Sequence, residues 1–577
     1  MQSLKSYLND LISRAMAEVT QSDACNSNVI TSSKPEFGDY QANGVMAEAK
    51  RRKANPRELA NQVVAALNSA DSPLIEKLEV AGPGFINIFL SDTALIERAN
   101  LALTEPQQLI PLTADPQRVA VDYSSPNLAK EMHVGHLRGT IIGDAIVRAL
   151  ERLGHTVIRQ NHVGDWGTQF GMLITYMQEV VGDTEELPNA LSNLETFYRN
   201  AKDRFDSDPE FAKQSRHNVV RLQSGEPEYL KVWEQFIDES LKHCEAVYDL
   251  LNVTLTREDL DAESRYNDDL KVIVEDLKAA DLLTDSNGAM CVFLPEFKGK
   301  DGEPLPLIIQ KTDGGYLYST TDLAAVRLRR SWDVQRSLYV VDARQSLHFQ
   351  QVFAVAKAAG FAGDELSLEH VSYGTMMGKD GRPFKTRSGD IVKLAELLEE
   401  AVSRAYQLVS EKNPDLDEAQ KQTIAQRVGI GAVKYADLSK NRTSDYIFDW
   451  STMLSFEGNT APYLLYAYAR IKSILRKEPN IASSGMGDLT HEEERVLVIK
   501  ILQLAEIVEA VGKDCYPNQL CNYLFELSGL FMRFYENCPI LKAESAVKET
   551  RLAICAITAN TLHQGLDLLG IETLEQM

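Results

Sequence analysis

The chain has 577 residues, 44% of them hydrophobic and 25% charged, and carries a net charge of −23. This composition excludes disorder and fibrous repeats, and the length calls for about three to five structural units. The acidity excludes a protein that coats nucleic acid without regard to sequence, while still allowing a nucleic-acid partner held on local basic patches.

The opening stretch MQSLKSYLNDLISRAMAEV sets Leu4, Leu8, Leu11, Ile12 and Ala15 on one helical face. Asp10 interrupts any apolar signal core, so a mature amphipathic helix is expected there. FGDYQANG (37–44) and AGPGFINIFL (81–90) join glycine to aromatic and apolar residues. The second reads as a turn into a strand with Ile86, Ile88 and Leu90 on one face. The polar, proline-bearing TADPQRV (113–119) reads as a linker. VAVDY (119–123) is a short strand. Leu137, Ile141, Ala145 and Leu153 then recur at helical spacing, with Gly154 as the stop. TVIRQ (156–160) is a second strand, and the glycine-rich VGDWGTQFG (163–171) follows it. Strand, helix and strand in this span make a βαβ unit of an open parallel sheet.

Residues 175–285 are charged and mostly helical, and read as an insertion. Sheet patterning returns at AMCVFL (289–294), LPLIIQ (305–310) and SLYVVD (337–342), and after about 392 the pattern is helical to the end. No apolar run approaches the roughly 18 residues a membrane span needs. The seven cysteines are scattered and never form Cys-x-x-Cys, which fits buried thiols in a reducing compartment. A cytoplasmic protein is expected.

SSPNLAKEMHVGHLRGT (124–140) places His133 and His136 where an apolar strand ends and a helix begins. Three readings compete. A zinc site needs three or four protein ligands, and no cysteine or third histidine lies nearby in sequence. Two ordinary polar residues at a helix start are always possible. A phosphate site has more physics behind it: a helix N-terminus offers unpaired N–H groups, and open sheets bind ligands beyond their carboxyl strand ends. Gly135 would let a nucleotide approach the backbone, the imidazoles could donate to phosphate oxygens, and Lys130 adds a mobile ammonium. A Walker loop is absent.

HVGH at this place resembles the HIGH signature of class I aminoacyl-tRNA synthetases. The longer string VDYSSPNLAKEMHVGHLRGTIIGDAI is similar to the arginyl-tRNA synthetase family, bacterial type. So are NHVGDWGTQFGML (161–173), LYSTTDLAA (317–325), DARQSLHFQQVF (342–353), NTAPYLLYAYARI (459–471) and the closing LDLLGIETLEQM. The likeness runs over essentially the whole chain. It implies a multi-domain α/β protein with an N-terminal α+β domain, a Rossmann-like catalytic domain with a helical insertion, and a C-terminal all-α anticodon-binding domain. The expected bounds are 1–112, 113–392 (insertion about 175–285), connecting helices 393–455, and 456–577.

The implied reaction has two steps. The carboxylate of L-arginine attacks the α-phosphorus of ATP, and magnesium-bound pyrophosphate leaves. The terminal ribose hydroxyl of the tRNA then takes the arginyl group from AMP. Donors that grip harder as charge grows on phosphate supply such catalysis, and His133, His136 and Lys130 are the right groups in the right place. MMGKDGRPFKTRSG (376–389) stands where the family's KMSKS loop belongs, but Thr386 replaces the second motif lysine. The resemblance makes Lys130 its substitute and leaves Lys385 and Arg387 as phosphate contacts, while Lys379 and Arg382 read as a solvated loop. It also places Tyr318 and Asp322 on the arginine side chain, and Asp122, Ser125 and Asn127 at the other end with Gln345 nearby. From sequence alone, Asp322 reads as a first-turn aspartate stabilising its helix. A pocket of paired charges should reject lysine, so no editing domain is expected. No protein-held metal and no zinc are implied; Mg2+ comes with ATP.

For the tRNA, the resemblance implies corner contacts by the N-terminal domain, with Phe37, Tyr40, Gln41 and Asn43 as candidates. Tyr40 and Asn43 share a face only if that stretch is helical. Anticodon contacts are expected from Asn459, Tyr463, Tyr466 and Arg470 near one face of a helix, although a tyrosine stripe is also common in cores. A monomer is implied, as is a need for bound tRNA before arginine is activated. The alternatives are another HxGH-type class I synthetase or nucleotidylyltransferase, and a silent tRNA-binding relative.

Overall fold

The computed structural model describes residues 2–22, 25–68, 72–180, 194–385, 392–478 and 485–577. They form two compact units. One is Met1–Thr113 with Ser455–Leu568 and Thr573–Met577; the other is Ala114–Leu454 with Leu569–Glu572.

The first unit begins with helix Leu4–Thr20, whose Ser3 cap accepts from the Ser6 N–H. It buries Leu4, Leu8, Ile12, Ala15 and Met16, a stripe set by helical spacing. An antiparallel sheet follows, ordered Val29–Thr31, Tyr40–Ala42, Phe85–Leu90, Ile75–Ala81. Ile86, Ile88 and Leu90 are fully buried, as the alternation predicts. The C-terminal part of this unit is helical, built on Ala461–Leu475, Glu492–Leu502, Leu504–Asp514, Asn518–Asn537 and Ser545–Leu568. Arg495 ties it to the sheet segment through a bidentate pair with Asp39, both bonds 2.8 Å.

The second unit is built on a parallel sheet ordered Ser367–His370, Arg336–Tyr339, Arg118–Asp122, Thr156–Gln160. The order reverses between Arg118–Asp122 and Arg336–Tyr339, which opens a crevice at their carboxyl ends. AMCVFL and LPLIIQ do not rejoin this sheet. With Leu283–Ser286 they make a separate antiparallel sheet, ordered Leu283–Ser286, Ala289–Val292, Leu307–Gln310. Short apolar runs do not say which sheet they join. Residues Leu569–Glu572, from the closing family-like string, belong to this unit. There the buried Lys434 ammonium donates to the Gly570 carbonyl at 2.8 Å. Gly570 has φ +65, and a Cβ would sit 2.3 Å from that ammonium, so a larger residue is strained there and must displace the Lys434 ammonium. Among the described residues, no helix is long and apolar enough to cross a membrane.

Candidate active site

Asp122, Gln160, Tyr339 and His370 stand in register across the carboxyl ends of the four parallel strands. Beneath them lies Arg329, fully buried. Its Nη2 donates to Asp122 Oδ2 at 2.9 Å, its Nε donates to Gln160, and its guanidinium carbon lies 4.5 Å from the centre of the Tyr339 ring. The other Asp122 oxygen accepts from Ser125 Oγ at 2.9 Å. Ser124 and Ser125 both take left-handed backbone, with φ of 71° and 47°, which turns the chain sharply off the strand. Gln160 Nε2 passes the network on to Asp261 at 2.8 Å. Burial opposes a charge on His162, but the carboxylates of Asp261, Asp122 and Asp322 hold its imidazole up to about 9.

The histidine pair is a helix cap. His133 precedes helix Val134–Arg152, its Nδ1 accepts from Gly135 N at 3.0 Å, and His136 Nδ1 accepts from His133 N at 3.1 Å. The two rings lie 4.0 Å apart. Val134 N donates to Val392 O, and His136 N to His133 O. The expectation of unpaired N–H groups for phosphate is thereby corrected: the first donors of this helix are all taken. With each Nδ1 accepting, each proton sits on Nε2, so the imidazoles themselves become the donors. Burial, and then the neighbouring His133, pushes His136 down to about 3; burial and Lys130 lower His133. Gly135 is needed for the fold of the pair, since a Cβ there would meet His133 Cε1 at 2.7 Å. The Lys130 ammonium lies 4.5 Å over the Tyr198 ring.

Asp322 is not a first-turn residue. Helix Tyr318–Ser331 starts four positions earlier, so the helix-stabilising reading fails. The start is fixed by the hydroxyls of Ser319 and Thr320 on the carbonyls of Ile308 and Ile309. Asp322 Oδ2 then meets His348 Nε2 at 2.6 Å. Tyr318 is exposed and lines a cavity of about 790 Å³ with Trp166, Gln169, Tyr198, Glu263 and Thr321. Among the described residues, nothing donates a hydrogen bond to the Glu263 carboxylate. Burial, with Asp165 and Asp322 opposing the pull of His162, pushes it up to about 7. The sequence reading missed Glu263, His162, Arg329 and His348. His162 and His348 stood inside the family-like strings, but Glu263 and Arg329 carried no signal beyond their type.

Asn127 Oδ1 accepts from Ala129 N at 3.0 Å and its backbone bridges to Gly164, so it shapes the turn. Gln345 is exposed beside the helix that carries His348. Lys385 is exposed and makes no bond to either histidine, and Arg387 lies outside the described residues. Lys379, read as solvated, is paired with Asp449.

In the first unit, Tyr40 corrects its expected role. It is fully buried with its hydroxyl on Glu506 at 3.0 Å, and it offers no face to a base. Tyr40–Ala42 is a strand, so Tyr40 and Asn43 do not share a helical face. Gln41 Nε2 donates to Asn87 at 2.8 Å, and Phe37 is half-buried under Lys34. On helix Ala461–Leu475, Tyr466 is exposed and accepts from Arg470 at 3.4 Å, while Arg470 also lies 4.6 Å over the Tyr535 ring. Tyr463 packs edge-on against Phe525, Tyr468 is buried, and Asn459 Nδ2 bonds Asn522 at 3.3 Å.

Three family models match the chain. They are tRNA synthetases class I (R), catalytic domain, over residues 99–450; the DALR anticodon binding domain over 464–577; and the arginyl tRNA synthetase N terminal domain over 6–90. The chain is 56% identical over 579 residues to the arginine–tRNA ligase of Laribacter hongkongensis and 55% identical to that of a Marinomonas species, covering 100% of each chain. Its fold is similar to solved arginyl-tRNA synthetases of Plasmodium falciparum (TM-score 0.83, 28% identity) and Thermus thermophilus (TM-score 0.82, 26% identity), again over 100% of each chain. A catalytic-domain match across more than half the chain and full-length relatives at this identity establish that the chain belongs to the arginyl-tRNA synthetase family.

Proposed function

We infer that this chain ligates L-arginine to its tRNA through an arginyl-adenylate formed from ATP, with the residues above in defined roles. The observation that carries the assignment is the tautomer lock on the histidines. Two neutral imidazoles, each with Nδ1 spent on the backbone, point their chemistry outward as Nε2–H donors. They grip the phosphate oxygens of ATP as the arginine carboxylate adds to the α-phosphorus and pyrophosphate departs with its magnesium. A neutral donor need not lose a proton to do this. Lys130 adds a cation in place of the absent loop lysine, with Lys385 and Arg387 as further phosphate contacts.

Asp122 and Ser125 receive the α-ammonium, with Asn127 shaping the turn and Gln345 at the rim. Asp322, Glu263 and the Tyr318 hydroxyl receive the guanidinium, whose planar fork suits a pair of carboxylates. In the second step the tRNA ribose hydroxyl attacks the arginyl carbonyl and AMP leaves. Contacts to the tRNA corner fall to Phe37, Gln41 and Asn43, and anticodon contacts to Asn459, Tyr463, Tyr466 and Arg470. The reading includes a monomer, and a reducing compartment such as the cytoplasm accords with seven cysteines, none of them in a disulfide.

Activation requires bound tRNA in this reading. The Lys130 ammonium held over Tyr198 supports it, because that cation must be released toward the phosphates for the site to be complete. Arginine-dependent exchange of pyrophosphate into ATP, run with and without arginine tRNA, is the test. Exchange only with tRNA is expected. Exchange without it would remove the coupling, and no exchange from folded protein would leave a silent tRNA-binding relative.

A further inference from the structure

Two residues past His136, helix Val134–Arg152 carries Arg138, which is buried and has none of the roles assigned above. We propose that Arg138 is a positioning residue: its guanidinium sets where residues 376–385 stand relative to the histidine helix, so that Lys385 and the two imidazoles act on one phosphate chain. The inference rests on the phosphate roles given above for the histidines and Lys385.

Arg138 Nε sits 3.3 and 3.0 Å from the two oxygens of Asp437, which is buried near the end of helix Glu418–Leu438. Its Nη1 donates to the Ser444 carbonyl at 3.1 Å, in the turn after that helix. The guanidinium carbon lies 5.9 Å from the Tyr373 ring and 5.2 Å from the Tyr446 ring. Tyr373 and Ser444 lead into strands Met376–Met377 and Tyr446–Ile447, which pair in parallel. One side chain thus holds both roots of this small sheet. Close contacts pass the position on. A Cβ on Gly374 would meet the Ser444 backbone at 2.7 Å, so the two segments have no slack between them. Thr375 N donates to Asp445 Oδ1 at 2.6 Å, and Phe448 N to the Met377 carbonyl at 2.9 Å. The chain then turns back: Phe384 N donates to the Met376 carbonyl at 3.0 Å, and its ring packs edge-on against Phe448 at 5.0 Å. Lys385 is the next residue. A lysine at 138 can match the Asp437 charge, but only a planar fork serves carboxylate, carbonyl and rings together. Stability alone does not call for the pair, since apolar residues of similar size often replace a buried ion pair without loss. Asp342 also feels the Arg138 charge, but it has its own partner in Arg344 at 2.7 Å.

The test is Arg138→Met combined with Asp437→Leu in the full-length chain, which removes both charges and keeps the packing volume. Its thermal melting should match the parent. Arginine-dependent pyrophosphate exchange, with arginine tRNA present and substrates saturating, should fall at least about tenfold, while the KM for arginine holds. Backbone amides over 376–384 should exchange hydrogen for deuterium at least about tenfold faster, while those over 137–150 keep the parent rate. Parent-like protection of 376–384 overturns the proposal, whatever the activity. A loss of protection spread evenly over both segments marks the pair as structural only and overturns it too. Protection lost over 376–384 with full exchange activity would leave the positioning intact and strike the phosphate role of the loop, a separate failure. If the double variant does not fold, Arg138→Lys, which keeps a cation beside Asp437, decides on the same readouts.

Discussion

His133 and His136 cap one helix jointly, rings 4.0 Å apart, each Nδ1 accepting a backbone N–H. The cap and the proposed phosphate donor are therefore separable by substitution. Asparagine is among the best N-caps, so His133→Asn should keep the thermal stability of the parent. It removes the Nε2–H, and arginine-dependent exchange should fall about 10²-fold or more. His136→Ala should lose a similar rate and also about 1 kcal/mol of cap. A His133→Asn enzyme with full exchange activity would leave the pair purely structural.

The order of strands and helices was legible because period-two and helical spacing are local properties: TVIRQ is strand Thr156–Gln160 with no residue to spare. The sheet to which LPLIIQ belongs was not legible, since pairing is decided by partners far along the chain. The same limit applies to the site. Asp122 and the histidines stand at a strand end and a helix start, which sequence can mark. Arg329 reaches Asp122 from 207 positions away, and its burial is set by packing alone. Tyr40 misled because an aromatic residue among glycines looks the same whether it stacks a base or fills a core.

Lys130 lies over Tyr198, and both halves of that contact can be probed. Lys130→Ala should cut exchange at least about tenfold if its ammonium serves the phosphates. Tyr198→Leu keeps an apolar packing group but removes the ring. A cation–π contact is worth roughly 0.5–1 kcal/mol, so exchange without tRNA should rise about two- to fivefold. Unchanged exchange in Lys130→Ala would end its role as substitute lysine.

The burial of Glu506 behind Tyr40 predicts a pH-dependent stability in the first unit. Burial, with Glu509 beside it, pushes the Glu506 carboxyl from its ordinary 4.5 up to about 7, against the pull of the Tyr40 hydroxyl. A raised folded value means the folded chain holds the proton that the unfolded chain has released. Stability should therefore fall as pH rises from about 4.5 to about 7. Glu506→Gln still accepts from Tyr40 and should flatten that slope. Tyr40→Phe should cost about 1–3 kcal/mol in chemical denaturation and leave the KM for tRNA unchanged. Tyr466→Ala, on an exposed side chain, should do the reverse.

In the proposed pocket Glu263 and Asp322 receive the guanidinium, and burial poises Glu263 to titrate near neutrality. Arginine keeps its guanidinium charged throughout, and Glu263 can pair with it only as a carboxylate. With its carboxyl pushed up to about 7 by burial and the nearby Asp165 and Asp322, the free site is largely protonated in mild acid. Binding must then release that proton, so the KM for arginine should fall as pH rises through neutrality. The change is about tenfold between roughly one unit below and one unit above that value. The KM for ATP should stay flat over the same range. Glu263→Gln should abolish the slope and hold the KM for arginine high at every pH. Asp322→Asn should raise the KM for arginine far more than that for ATP while keeping the slope. A slope that survives Glu263→Gln would assign the titration to another group, with His162 the next to substitute.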